Sequence, residues 1–501
     1  MARHAHCAGA MFATAASTPT PFTYRRRQPE KTVLYQAIAQ HWPKFLARAE
    51  EADRAVPAFV RREFDNYLDC GIIERGAIRL HCFSCGCDRL IALSCKGHLC
   101  PSCAARRMTE TAADVVDNLL PNAPLRQWVQ TVPVPLRYAL AYDTELLSGV
   151  IRILVRAILR HLVTVAKQEF GLAAETKFQG GAFCVPQRFN SALAPSPHLH
   201  VAAADGVWVL EPGAKEPVFR ALRPPTRAEV AAVSWTVCER TVDLLRKQGK
   251  WQGDANAEEP LDTLADKEPL LSSLAQASLR GTLLFGANAG KRVMRFFGAA
   301  ASTSRDTEHD DAEQNGAYGF NLHAGSRAAA SDKTRREMMC RYLLRPPLSN
   351  ERLTRLPDGR YEVRLKSPWK DGTTAVVLEG TELVGRLVVL VPPPRVHTIR
   401  YFGVLAPRSS FRSSVVRPRA DADDACAAHK IEPDEALGLS NRRTSRGRRL
   451  PWRELLRRAF AVDLQACPRC KKKGMQRIAL ISDPNVIRAM LACMAKKAAD
   501  P

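Results

Sequence analysis

His198-Leu199-His200, within the segment PHLHVAAA, sets two imidazoles two residues apart. Successive side chains of a strand point to opposite faces, so His198 and His200 share one face while Leu199, Val201 and Ala203 share the other and can pack on a core. Two imidazoles about 7 Å apart along a strand can converge on one divalent ion. Gln187, in the preceding strand-like segment GGAFCVPQRF, is the candidate third ligand. A His-x-His pair is also a common incidental feature of a strand face. Tyr342, in REMMCRYLLRPPLSNERL, lies at helical spacing among apolar residues, which by itself describes a packed aromatic. Arg341 and Arg345 flank it as an i, i+4 pair. A phenol that attacks a phosphodiester needs cations to hold the phosphate. The arginines could supply them, and a metal at the histidines could polarise the phosphate.

The cysteines form a second constellation. Six of the 15 (Cys82, Cys85, Cys87, Cys95, Cys100 and Cys103) fall within 22 residues. Cys82-x2-Cys85 and Cys100-x2-Cys103 are two knuckles whose four thiolates can close tetrahedrally on Zn2+, with Cys95 and His98 as spares. Such a closed set is structural, and the alternative is a group of buried reduced thiols. Arg106 and Arg107, directly after the second knuckle, suit a DNA-docking role or an ordinary solvated helix face. Cys467-Pro-Arg-Cys470, followed by three lysines, reads either as half a zinc site or as two thiols in a basic turn.

The elements that must position these groups are legible in outline. A helical pattern runs from about 31 to 67 and another from about 104 to 120, closed by Pro121. LLSGVIRILVRAILRHLVTVAK reads as a helix, and GGAFCVPQRF, PHLHVAAA and VWVLE as three strands. Asp205-Gly206, between the last two, is a two-residue hairpin signal. Helices are expected over about 226–247 and 331–344, the latter begun by Ser331 or Asp332 and stopped by Pro346-Pro347. Residues 248–275 and 299–330 read as loops, RYEVRLK and TTAVVLEG as strands around Asp371-Gly372, and 452–497 as helical around its CxxC. There is no internal repeat.

The whole chain narrows the function classes. Its 501 residues suffice for two to four domains, and 46% hydrophobic content supports a buried core. The 74 Lys plus Arg against 51 Asp plus Glu give a net charge of +23, which points to a polyanion, nucleic acid first. No apolar run approaches the roughly 20 residues needed to span a bilayer, and the N-terminus makes a poor export signal. The expectation is a cytoplasmic protein without membrane association.

HCFSCGCDRLIALSCKGHLCPSCAARRM, GAFCVPQRFNSALAPSPHLHVAAADGVW, CRYLLRPPLSNERL, VPPPRVHTIRYFGVLAP and the late CPRC together resemble the transposases of the insertion sequence 91 family. That family is a branch of the HUH single-strand nucleases with an N-terminal zinc-binding domain. The segments occur in the family's order over most of residues 30–490. The resemblance implies that His198 and His200 are the metal-binding pair, with Mg2+ or Mn2+ as the ion, and that Tyr342 is the nucleophile. It also implies cleavage to a 5′-phosphotyrosine and a free 3′-hydroxyl, and rejoining without ATP. Some relatives carry two tyrosines four residues apart; here the earlier position is Met338, so the single-tyrosine form is implied. Phe402 stands where many relatives have histidine.

The expected fold class is therefore α+β, an HUH-endonuclease-like antiparallel sheet flanked by helices and preceded by a small zinc-binding module. The expected parts are a leader (1–30), a helical and zinc-binding domain (31–124), a nuclease core (125–411), a basic linker (412–450) and a C-terminal helical region (451–501). The expected partner is DNA, namely single-stranded transposon ends, and a homo-oligomer is compatible. The rivals are a replication initiator or relaxase with the same site, and a zinc-dependent DNA-binding protein without catalysis.

Overall fold

The structure is a computed structural model that describes residues 27–250, 263–285, 288–297, 319–369, 371–394, 396–416 and 465–499. Residues 1–26, most of the acidic stretch after 299 and the arginine-rich linker before 450 lie outside the described residues. The backbone divides into two compact units that differ from the expected partition. One joins residues 73–93 to the described part of 450–501; the other holds 28–72 and 94–416. The fold is α+β, with every strand pair antiparallel among the described residues.

In the larger unit the helices begin and end where their caps dictate. Asp143 accepts from the backbone N–H groups of Glu145 and Leu146 to start Thr144–Phe170, and Gly171, at φ 55°, stops it in the left-handed conformation. Thr226 and Glu229 form a reciprocal capping box at the start of Arg227–Lys247. Both helices lay apolar residues on one face of the central sheet, where Val150, Leu154, Ile158, Val233 and Val237 pack with Leu199, Val201 and Ala203.

That apolar stripe sets the register of the histidine strand. Each fully buried Val or Leu contributes about 1.5–3 kcal/mol, and a one-residue slip would carry all of them to the opposite face. The strand Pro195–Ala204 is thereby locked in the middle of the sheet, between Leu125–Thr131 and Gly181–Phe189. Asn321–His323 lies outside the first of these and Arg400–Gly403 outside the second. His198 and His200 must then face the other way, where Phe183, Val185, Ala202, Met339, Cys340 and Leu343 form a separate apolar layer.

The hairpin expected at Asp205-Gly206 does not form. Gly206–Leu210 pairs with Lys177–Gln179 and Val218–Ala221 in a different sheet, so the chain turns a corner at Asp205. The corner is held by the Asp205 carboxylate, which is buried and accepts from Arg126 (2.7 and 2.9 Å) and Arg327 (2.7 Å). Gly206 is required by close approach, since a Cβ there would lie 2.3 Å from the Arg220 carbonyl. A carboxylate committed to two guanidiniums no longer serves a solvated tight turn.

Other expectations are amended in the same way. The 31–67 pattern breaks into Val33–Glu51 and Ala58–Asp69, which pack with Pro269–Arg280 and Gly380–Leu390. Pro269–Arg280 lies partly in a stretch read as loop, yet Leu270, Leu271 and Leu274 repeat at helical spacing and are buried. Tyr361–Arg364 and Thr373–Leu378 do pair across Asp371-Gly372, where Gly372 has φ 80°. In the smaller unit the end of the chain is not purely helical. Met475–Ile481 is a strand, paired with Ala77–Cys82, which pairs in turn with Asp88–Ala92; Pro484–Ala499 comes next as a helix.

Candidate active site and zinc site

The four cysteines expected to share one zinc do not meet. Cys100 and Cys103 join Cys70 and Cys95, whereas Cys82 and Cys85 join Cys467 and Cys470. The fourteen-residue separation between the two knuckles is occupied by the strand Asp88–Ala92, which draws them into different compact units. Cys95, a spare in the sequence reading, is a member of the first cluster. His98 is not; its side chain lies beside Arg107. Cys70 was missed because it has no CxxC partner and stands at the end of a helix.

In the first cluster the Cys70 sulfur lies 3.7 Å from that of Cys100 and 3.6 Å from that of Cys103, and Cys95 lies 3.6 Å from Cys103. A tetrahedron with Zn–S bonds of about 2.3 Å has sulfur–sulfur edges of about 3.8 Å, so the spacing fits zinc and is far too long for disulfides of about 2.05 Å. Backbone N–H groups of Cys95 and Gly97 donate to the sulfurs of Cys70 and Cys95 at 3.3 Å. Cys100 stands at the N-cap position of the helix Pro101–Asp114 and Cys103 in its first turn, where the helix dipole favours thiolate. The donor set is that of a structural Zn2+ site. Arg106 donates to Ser94 and Arg107 to the Lys96 carbonyl, so both brace the loop that carries Cys95.

On the face of the central sheet that His198 and His200 share, the sequence-predicted residues do converge. The rings of His198 and His200 are 4.9 Å apart, and the His200 ring meets the Tyr342 ring edge-on at 5.7 Å. The tyrosine is delivered by Lys333–Leu343, which Asp332 caps through the Arg335 N–H and which ends before Pro346-Pro347. Met339, Cys340 and Leu343 anchor this helix, while Met338 is half exposed.

The protonation chemistry suits a metal. His198 Nδ1 sits 2.8 Å from the Ser196 carbonyl, which fixes the tautomer that carries its lone pair on Nε2. His200 is 2% exposed, and burial, then His198, Arg345 and Lys366, hold its pKa well below the ordinary imidazole value, so it is neutral near pH 7. Its Nδ1 meets the Gln127 amide at 2.9 Å, whereas its buried Nε2 has no hydrogen-bond partner. An orphaned imidazole nitrogen in so dry a place is costly unless something coordinates it. A divalent cation fits.

Gln187 lies directly across from His198, as expected of a neighbour, but its Nε2 is committed: it donates to the carbonyls of Tyr342 (3.1 Å) and Leu343 (2.9 Å). It thus ties the His sheet to the end of the tyrosine helix. The two arginines separate in role. Arg345 places its guanidinium 4.2 Å from the Tyr342 ring centroid, whereas Arg341 turns back to Glu337 at 2.6 Å. Gln127 and Lys366 were missed by sequence reasoning. Nothing in their local sequence distinguishes them, although the alternation on Leu125–Thr131 does put Gln127 on the histidine face. Among the described residues no helix is long and apolar enough to cross a membrane.

Residues 181–413, which contain His198, His200 and Tyr342, match the family model described as "Putative transposase", and residues 37–132 match the "Transposase zinc-binding domain". The transposase for insertion sequence element IS801 of Pseudomonas savastanoi pv. phaseolicola is 23% identical over 348 residues, spanning 68% of this chain and 69% of that protein. No solved structure matches. The chain is a DNA-processing enzyme of the transposase class, and hence a DNA-binding protein. It belongs to the insertion sequence 91 family.

Proposed function

We propose that the enzyme cleaves and rejoins single-stranded DNA at the ends of an insertion sequence, with Tyr342 as its one nucleophile. The observation that carries this reading is the 5.7 Å approach of the Tyr342 ring to His200, itself 4.9 Å from His198, on a face where the Nε2 of His200 is buried without a partner. His198, His200 and, through its carbonyl oxygen, Gln187 hold Mg2+ or Mn2+. When bound, the ion polarises the scissile phosphate.

Oη of Tyr342 attacks phosphorus, the bond from phosphorus to the 3′ oxygen breaks, and the 3′-hydroxyl leaves with a proton. The 5′-phosphotyrosine is then attacked by another 3′-hydroxyl, which restores the phenol and a phosphodiester with no net energy input. Arg345, whose guanidinium lies over the phenol ring, brings positive charge to the attacking residue, and the exposed Lys366 acts on His200. Gln187 keeps the tyrosine helix at a fixed distance from the histidine strand, and Gln127 orients His200. Arg106, Arg107 and Arg341 add charge for the DNA backbone around these centres. Cysteines gathered in metal-ligating clusters rather than joined as disulfides suit the reducing cytoplasm.

The test is a cleavage assay on labelled single strands from both element ends, with Mg2+ or Mn2+. A covalent protein–DNA adduct should form with the native chain and vanish in Tyr342→Phe and on chelation. Binding without an adduct on either strand and with either ion would replace this reading by a non-catalytic DNA-binding one.

A further inference from the structure

Cys82, Cys85, Cys467 and Cys470 form a tetrad that the matched zinc-binding domain cannot account for, because that match ends at residue 132 and contains only two of the four. We propose that these four thiolates bind a second zinc ion, which makes the smaller compact unit a zinc ribbon assembled from two segments more than 380 residues apart.

The two CxxC segments adopt turns with two matching backbone hydrogen bonds. In the first, the Cys82 N–H donates to the Cys87 carbonyl at 2.9 Å and the Gly86 N–H to the Cys82 carbonyl at 2.8 Å. In the second, the Cys467 N–H donates to the Lys472 carbonyl at 2.9 Å and the Lys471 N–H to the Cys467 carbonyl at 3.0 Å. Each turn has a left-handed residue directly after its second cysteine, Gly86 at φ 69° and Lys471 at φ 60°. For glycine that conformation is free; for a lysine it is sterically disfavoured and persists only where the surroundings impose it.

The turns face each other with the Cys82 sulfur 3.7 Å from that of Cys470 and the Cys85 sulfur 3.5 Å from that of Cys467. These two separations lie near the edge of about 3.8 Å of a tetrahedral zinc–sulfur site and far from the length of a disulfide, and all four sulfurs lie within 4.8 Å of one another. Among the described residues the apolar layers of this unit are small: Leu80, Ile91 and Met475 are buried beside Cys82 and Cys467, and Ile73, Ala77, Leu90 and Ile487 form a second cluster. So small a core does not hold a three-stranded sheet of distant segments by itself, and a metal that binds only the folded form does. The ion therefore pins Met475–Ile481 to Ala77–Cys82, where Met475 pairs with Cys82 itself.

The experiment is metal content and thiol reactivity on the full chain, and neither readout depends on catalysis. Elemental analysis should give two zinc ions per chain for the native protein, and one for both Cys467→Ser/Cys470→Ser and Cys100→Ser/Cys103→Ser. In the native protein, alkylation followed by peptide mass spectrometry should find Cys82, Cys85, Cys467 and Cys470 protected together and released together by a chelator, while the exposed Cys493 reacts from the start. One zinc per chain, iron in its place, or Cys467 and Cys470 alkylated as fast as Cys493 in zinc-loaded protein would overturn the proposal. The alkylation arm uses no variant, so a failure of the serine variants to fold does not shield it.

Discussion

Replacing Gln127 by Leu should weaken the binding of the divalent ion without moving either histidine's backbone. Gln127 is buried on the strand beside the histidines, and its amide meets His200 Nδ1 at 2.9 Å. The atom that faces Nδ1 is the amide nitrogen of Gln127. Turned end for end, the side chain presents Oε1 instead, accepts Nδ1–H and leaves the Nε2 lone pair of His200 for the metal; without the amide nothing holds the buried ring in that tautomer. Removing such an outer partner of a ligating histidine lowers metal affinity about 10- to 100-fold, or about 1.4–2.8 kcal/mol. That agrees with the roughly 1–3 kcal/mol for stranding one buried hydrogen-bonding group. Calorimetric titration of Mn2+ into the native chain, Gln127→Leu and Gln127→Glu would measure it. The leucine variant should lose affinity by that factor and recover cleavage at saturating Mn2+, while the glutamate, still an acceptor, should bind at least as well as the native chain. Native affinity in Gln127→Leu would refute the claim that this amide sets the tautomer of His200.

Asp205→Ala should cost about 3–5 kcal/mol in chemical denaturation, because it leaves Arg126, 5% exposed, as an uncompensated buried charge; a loss below about 1 kcal/mol would mean that the corner is held by something else. Glu229 supplies a pH-dependent element. Arg223, then the capping contacts of Thr226, hold its carboxyl at about 2, below the ordinary value of 4.5. Its stabilisation is therefore complete above 4.5 and fades as pH falls from there toward 2. Glu229→Gln should flatten that part of the stability-against-pH curve and leave neutral-pH cleavage unchanged.

The sequence by itself determined what periodicity and composition can carry. The apolar stripe of Leu199, Val201 and Ala203 dictated which way His198 and His200 point, and the helical patterns beginning near 146, 226 and 331 start where the structure starts them to within a residue or two. The basic excess and the order of the motifs carried the family. These are local properties, decided by neighbours one to four residues away. Tertiary structure decided whatever depends on which distant groups share a volume. The spacing of Cys82, Cys85, Cys100 and Cys103 is the same whether they close one site or are divided between two, and only the path of Asp88–Ala92 and the arrival of Cys467 and Cys470 separate them. Asp205-Gly206 has the composition of a tight turn, but two arginines 79 and 122 residues away bury its carboxylate. Gln187 was legible as a neighbour of His198, while its hold on the tyrosine helix existed in no local pattern, because hydrogen bonds between elements are fixed by packing rather than by period.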